Sequence, residues 1–212
     1  MDRDATGPNQ AARHDAYAAE YDAQVSAYGC YLAEALFGLC YEFVRSGERL
    51  LDVGIGSGLS AAPFARAGLR VWGTDFSAAM LDLCRAKGIA EALRQHDLQV
   101  VPWPYPSGAF DHVISCGLFH FIPDLEAIFD EAARVTLPGG LFAFTTKEPA
   151  SPTFGRRYDR HVSDDLDIFD HEPAYIAAML AAIGYRPLRT LRCFVGEDVF
   201  TIWIARQEEV PA

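Results

Sequence analysis

The amino-acid sequence predicts an α/β fold, a mostly parallel sheet wound with helices on both faces. Three observations predict it. Apolar runs of strand length alternate with helix-compatible segments from position 49 onward, the order expected of a sheet covered on both sides. One run, Leu50-Leu51-Asp52-Val53, closes on Gly54-Ile55-Gly56-Ser57-Gly58, and alternate glycines let a ligand reach backbone N–H groups at a helix start. Asp75 closes the next run 21 positions after Gly54, about where a carboxylate reaches the vicinal hydroxyls of a nucleoside ribose.

Composition bounds the function. The chain has 212 residues, half of them hydrophobic, which suits one domain with a real core. No apolar run approaches the ~20 residues of a membrane span, and Met1 to Gln10 is polar, so no membrane partner and a cytoplasmic location are expected. Five scattered cysteines (Cys30, Cys40, Cys84, Cys116, Cys193), never in C-x-x-C spacing, suggest neither a disulfide framework nor a metal site. A net charge of −11, with no basic cluster larger than Arg156-Arg157, argues against nucleic acid.

The elements follow in order. Residues 1–12 read as a disordered lead. From His14 to Phe43 the signal is helical: Tyr31, Leu32, Ala35, Leu36, Leu39, Cys40 and Phe43 share one face, and Gly29 marks a break. Strand one is expected at Arg49 to Val53, a helix from Leu59 to Ala67, and strand two from Leu69 to Thr74, with Asp75 at its end. Ser77 caps a helix through Met80, Leu81 and Cys84 that stops at Lys87-Gly88. Ile89 to His96 is a weak third strand, followed by Asp97-Leu98. Three prolines in Pro102-Trp103-Pro104-Tyr105-Pro106 forbid regular structure there. Phe110 to Ser115 is a buried fourth strand, with Cys116-Gly117 and His120 just beyond it. Pro123 opens a helix carrying Leu125, Ile128, Phe129, Ala132 and Val135 on one face, Pro138-Gly139-Gly140 ends it, and Leu141 to Thr146 is strand five. Periodicity is lost from Lys147 to Glu172, which reads as a loop or small lid. A last helix, Pro173 to Ile183, precedes strands at Arg189 to Val195 and Val199 to Ala205 joined by a tight turn at Gly196-Glu197-Asp198.

The glycine motif reads D-x-G-x-G-x-G. Leu59 stands where the dinucleotide fingerprint needs glycine, which argues against a nicotinamide-dependent oxidoreductase. With Asp75, Asp97-Leu98, the Phe110–Ser115 strand with its His120 tail, and Leu137-Pro138-Gly139-Gly140, the motif resembles class I S-adenosylmethionine (SAM) dependent methyltransferases of the small-molecule type over about 100 residues. Ala18-Ala19-Glu20-Tyr21-Asp22 extends the likeness toward the N-terminus. Met80 through Gly88, with Ser115-Cys116-Gly117, most resembles the Williams-Beuren-region methyltransferase-like proteins. The resemblance implies a Rossmann-like sheet of seven strands, order 3-2-1-4-5-7-6, one of them antiparallel. It implies one domain: a helical cover at 13–45, a SAM-binding core at 49–146, an inserted substrate loop or lid at 147–172, and a last helix and two strands at 173–206. It implies SAM as cofactor, S-adenosylhomocysteine as product and a small-molecule acceptor. Residue by residue, Gly54, Gly56 and Gly58 would pass close to the methionine part, with Asp52 organising the turn or meeting the amino group. Asp75 would take the ribose hydroxyls, Phe76 or Met80 would pack on the adenine, and Asp97 and the Leu98 N–H would meet its polar edge. Cys116-Gly117 would line the sulfonium side, and Tyr21 would close over the carboxylate.

Methyl transfer is an in-line displacement at a carbon already activated by its leaving group, so orientation and desolvation do much of the work. A base is needed only when the nucleophile arrives protonated. His120 is the expected catalytic residue, because it lies just past strand four at the sheet's carboxyl edge; His14, Tyr17 and Tyr28 are lesser candidates. His161, His171 and the acidic run from Asp164 to Asp170 match no metal-ligand spacing and read as a solvated loop, with Phe154, Tyr158 and Phe169 as its apolar contacts. Its carboxylates would favour a cationic or amine-bearing acceptor. The expected reaction is methylation of an oxygen or nitrogen; the alternative is a protein that binds SAM without methylating.

Overall fold

The computed structural model describes residues 21–151, 153, 155–163 and 165–208. The expected lead, His14, Tyr17, Phe154 and Asp164 lie outside the described residues. Among the described residues no helix is long and apolar enough to cross a membrane.

Seven strands form the main sheet: β1 (Arg49–Val53), β2 (Arg70–Asp75), β3 (Ala92–Gln95), β4 (Phe110–Ser115), β5 (Thr136–Lys147), β8 (Tyr185–Val195) and β9 (Asp198–Gln207). Their order is β3-β2-β1-β4-β5-β9-β8. Counted within this sheet, that is the expected 3-2-1-4-5-7-6, and β9 is antiparallel to both of its neighbours. The chain reverses there because Gly196, at φ +60°, lets β8 turn directly into β9.

Among the described residues six helices accompany the sheet: α1 (Tyr21–Ala27), α2 (Leu32–Cys40), α3 (Ala61–Arg66), α4 (Ala78–Lys87), α5 (Glu126–Val135) and α6 (Pro173–Ala182). Alternation along each central strand feeds two cores. Leu51, Val53, Val113, Phe142 and Phe144 pack with Ile128, Phe129 and Ala132 of α5 and Ile176 and Leu180 of α6. Leu50, Ile114, Leu141 and Ala143 face the other way, against Leu36 and Cys40 of α2, Phe64 of α3 and Leu81 and Cys84 of α4. The caps of α4 are those the sequence predicts: the Met80 N–H donates to Ser77 Oγ at 3.1 Å, and Gly88 closes the helix at φ +64°.

The N-terminal signal resolves into α1 and α2, separated at Gly29 as expected, where φ is +61°. Two stretches differ from expectation. Strand β5 begins at Thr136, so Pro138-Gly139-Gly140 lies within it instead of ending a helix. Gly140 is needed there because a Cβ would lie 2.2 Å from the Asp111 carbonyl oxygen on β4. The segment read as a loop contains a hairpin, β6 (Tyr158–Ser163) with β7 (Leu166–His171). Its charges are spent across the strands: Arg160 Nη2 lies 2.9 Å from Asp167, and His161 Nδ1 lies 3.3 Å from Asp170. Tyr158 meets Phe169 edge to face, with ring centroids 5.2 Å apart.

Candidate functional site

The glycine loop lies at the carboxyl edge of β1, tied to the end of β2. Gly54 and Ile55 donate their N–H groups to the Thr74 carbonyl at 2.8 and 3.0 Å. Positive φ at Gly54 (+74°), Gly56 (+53°) and Gly58 (+90°) explains why no other residue serves. Their side-chain faces differ. A Cβ on Gly54 would lie 2.4 Å from Leu118, and one on Gly58 would lie 2.6 Å from Ile89 and 2.9 Å from Cys84, whereas one on Gly56 meets nothing within 4 Å. Gly56 therefore faces open space, and Gly58 buys close packing of the loop against α4 and the residues after it.

Asp75 shapes this loop from the end of β2. Gly56 N–H donates to its Oδ2 and Ser77 N–H to its Oδ1, each at 2.9 Å. Asp52 is fully buried beneath the loop. Ser60 Oγ donates to Asp52 Oδ2 at 2.6 Å, while Oδ1 has no hydrogen-bond partner. Burial pushes this carboxyl up to about 8; the Ser60 bond opposes that shift and the charge on Asp75 adds to it.

Helices α1 and α2 roof a cavity of about 340 Å³ over the loop. It brings together Tyr21, Gly54, Gly56, Cys116 and Gly117 of the expected residues. Gly58, Asp52, Asp75, Phe76, Met80, Asp97, Leu98 and His120 do not line it. Cys30, Glu34 and Ser60 do, and sequence reasoning did not select them. The only available signal for Cys30 and Glu34 was their position around the break at Gly29. Tyr21 has its phenol pushed up to about 12, chiefly by burial and then by the neighbouring thiols of Cys116 and Cys30 and the carboxylate of Asp75. Burial also raises the Cys116 thiol, and Gly117 N–H donates to Thr145 Oγ1 at 2.8 Å. Asp22, the next residue on α1, accepts from Ser57 Oγ of the loop and pairs with Lys87 Nζ at the end of α4.

The remaining expected residues lie along the β2–β3 edge. Met80 is buried, and the Phe76 carbonyl accepts from Gln95 Nε2 at 2.9 Å. Asp97 is exposed and accepts from the Gln99 N–H at 3.0 Å. Leu98 is buried, its carbonyl accepting from the Trp103 indole at 3.0 Å.

His120 sits in a 3-10 turn, Phe119–Phe121, beyond β4. Its ring meets Phe200 of β9 edge to face at 5.6 Å. Phe200 pairs in register with Lys147, the last residue of β5. Lys147 is buried, its Nζ 2.8 Å from Asp198 and 3.8 Å from Asp170. Asp170 and the fully buried His171 thus leave the solvated-loop reading: both sit at the hairpin's inner end. Among the described residues no group of three or more His, Cys, Asp or Glu side chains is placed to hold a metal ion.

Comparison with known proteins gives the site its context. A family model described as a methyltransferase domain matches residues 51–144. The chain is 31% identical over 162 residues to a malonyl-[acyl-carrier protein] O-methyltransferase of Serratia marcescens, covering 74% of this chain and 61% of that relative. It therefore spans about three fifths of that protein's length. A solved 1,6-didemethyltoxoflavin-N1-methyltransferase of Burkholderia thailandensis superposes with a TM-score of 0.72 at 18% identity, over 99% of this chain and 94% of that one. The [4+2]-cyclase SpnF superposes with a TM-score of 0.67, also at 18% identity, over 84% of this chain and 82% of that one.

Proposed function

We propose that the chain is a class I SAM-dependent methyltransferase that transfers a methyl group from SAM to an oxygen or nitrogen of a small molecule, a reading supported by the methyltransferase-domain match over residues 51–144. The observation that carries this reading is the roofed cavity over Gly54 and Gly56, walled by Cys116-Gly117 and Tyr21.

The residues present fit SAM. Gly56 leaves open space where a side chain would stand, and the orphaned Asp52 Oδ1 is a buried polar atom beneath the same loop. Asp75, fixed at the end of β2 by the N–H groups of Gly56 and Ser77, would present its carboxylate to the ribose hydroxyls. Gly54 and Gly56 hold the methionine part, while Gly58 supports the loop from behind. Phe76 and Met80 pack on the adenine, and Asp97 and the Leu98 N–H receive its polar edge. Bound SAM supplies an electrophilic methyl on a positively charged sulfur. Cys116 and Gly117 line the sulfur side with a thiol whose pKa burial raises and with main chain. Tyr21 and α2 exclude water from above. The His120 imidazole takes the proton of an acceptor hydroxyl or amine, and the β6–β7 hairpin with α1 and α2 forms the cover that admits the acceptor.

Calorimetry with SAM, S-adenosylhomocysteine and NAD tests the cofactor, with binding expected for the first two only. Asp75→Ala should weaken SAM at least about tenfold, the scale of one or two lost hydrogen bonds to a charged group; an unchanged Kd would remove the assignment. Labelled SAM incubated with a metabolite extract should yield labelled product. A second reading, SAM binding without methyl transfer, draws support from the likeness to a cyclase. Tight SAM binding with no label transferred to any extract would favour it.

A further inference from the structure

We propose that His171 is a positioning residue for His120, acting as a clasp between the inserted hairpin and the turn that carries the imidazole. His171 ends β7 and is fully buried. Its Nε2 lies 3.1 Å from the Phe119 carbonyl and 3.0 Å from the Ile122 carbonyl, the residues bracketing the 3-10 turn. Both partners are acceptors only, so Nε2 carries the hydrogen and donates to both. Within the turn the Phe121 N–H donates to the Leu118 carbonyl and the Ile122 N–H to the Phe119 carbonyl, at 3.0 and 3.1 Å. Phe119 anchors the turn on its inner side, buried against Phe129, Phe142 and Phe144. The outer side is held by His171. Tyr158 of the opposite strand packs on the His171 ring at 5.8 Å, so the clasp reaches into the hairpin itself. His120, between the two anchors, is thereby held against Phe200.

The catalytic meaning of this clasp rests on the methyl-transfer reading; the clasp itself does not. The test compares His171→Phe, which keeps the ring volume and loses the donor, with His171→Gln, which returns an N–H at similar reach. Amide hydrogen exchange at Phe121 and Ile122, the NMR titration midpoint of the His120 imidazole, and SAM affinity are read on the full chain. His171→Phe should speed exchange at both amides about tenfold, the scale of one lost hydrogen bond, and move the His120 midpoint. SAM affinity should stay within about twofold, because His171 touches none of the cavity. His171→Gln should restore the parental exchange and midpoint. A folded His171→Phe protein with parental exchange and midpoint overturns the proposal. If that variant does not fold, His171→Gln decides: parental values support the clasp, and a folded protein with a displaced midpoint overturns it. Failure of the parent to bind SAM would instead strike the functional reading and leave the exchange result standing.

Discussion

Asp52 lies beneath the glycine loop with one oxygen bonded to Ser60 and the other without a partner, and burial holds its proton up to about 8. Between its ordinary value of 3.8 and about 8 the folded chain keeps a proton that the unfolded chain has lost, so this residue's cost grows as pH rises through that window. Asp52→Asn keeps an acceptor for Ser60 and cannot ionise. Its Tm should fall less than the parent's between pH 6 and pH 8, by the equivalent of about 2 kcal/mol; parallel curves would show that Asp52 ionises freely in the fold. His171 has the opposite sign, since burial lowers its pKa and its contribution is lost as pH falls below about 6.5. At this scale the sequence was legible where chemistry is written as residue type at fixed spacing. The motif located Gly54 and Gly56 on the cavity, yet it could not separate them from Gly58, because that distinction depends on Ile89 and Cys84 from another element.

Helix α1 buries none of its residues fully, so its seat on the loop depends on polar contacts. Asp22 supplies them, to Ser57 and Lys87, with the Asp22 and Lys87 side chains 42% and 31% exposed. Half-exposed pairs of this kind contribute at most about 1 kcal/mol. Asp22→Ala should therefore raise the SAM dissociation rate about threefold in stopped flow and reduce its dependence on salt. A dissociation rate matching the parent's at every ionic strength would assign α1 another anchor. The hairpin teaches the converse lesson about reading elements. Its run of aspartates suggests a solvated loop only while each charge is counted alone; Arg160, His161 and Lys147 lie opposite them once the strands pair. Cross-strand pairing is not a local property, and so the element stayed hidden.

For the molecule as a whole, alternation of apolar runs and helices made the parallel sheet legible and the turn at Gly196-Glu197-Asp198 the reversed strand, while the strand order came only from the family resemblance. A helical cover was expected, but which of its residues meet the glycine loop was not legible, since α1 buries none of its residues fully and its placement depends on what lies under it. The two cores carry a practical asymmetry. All three indoles belong to the layer under α5 and α6, Trp103 and Trp203 within it and Trp72 packed on it, and none lines the cavity. Trp203 is further fixed by its bond to Thr146 Oγ1 at 2.9 Å, and Trp103 by its bond to the Leu98 carbonyl. Intrinsic fluorescence should consequently track the melting of that layer through a denaturant titration. It should stay nearly silent as a ligand fills the cavity under the roof alone, whereas adenine reaching Leu98, whose carbonyl is bonded to the Trp103 indole, should give a saturable emission change. Optically the protein is one-sided, and a reporter of what happens under its roof has to be placed there by design.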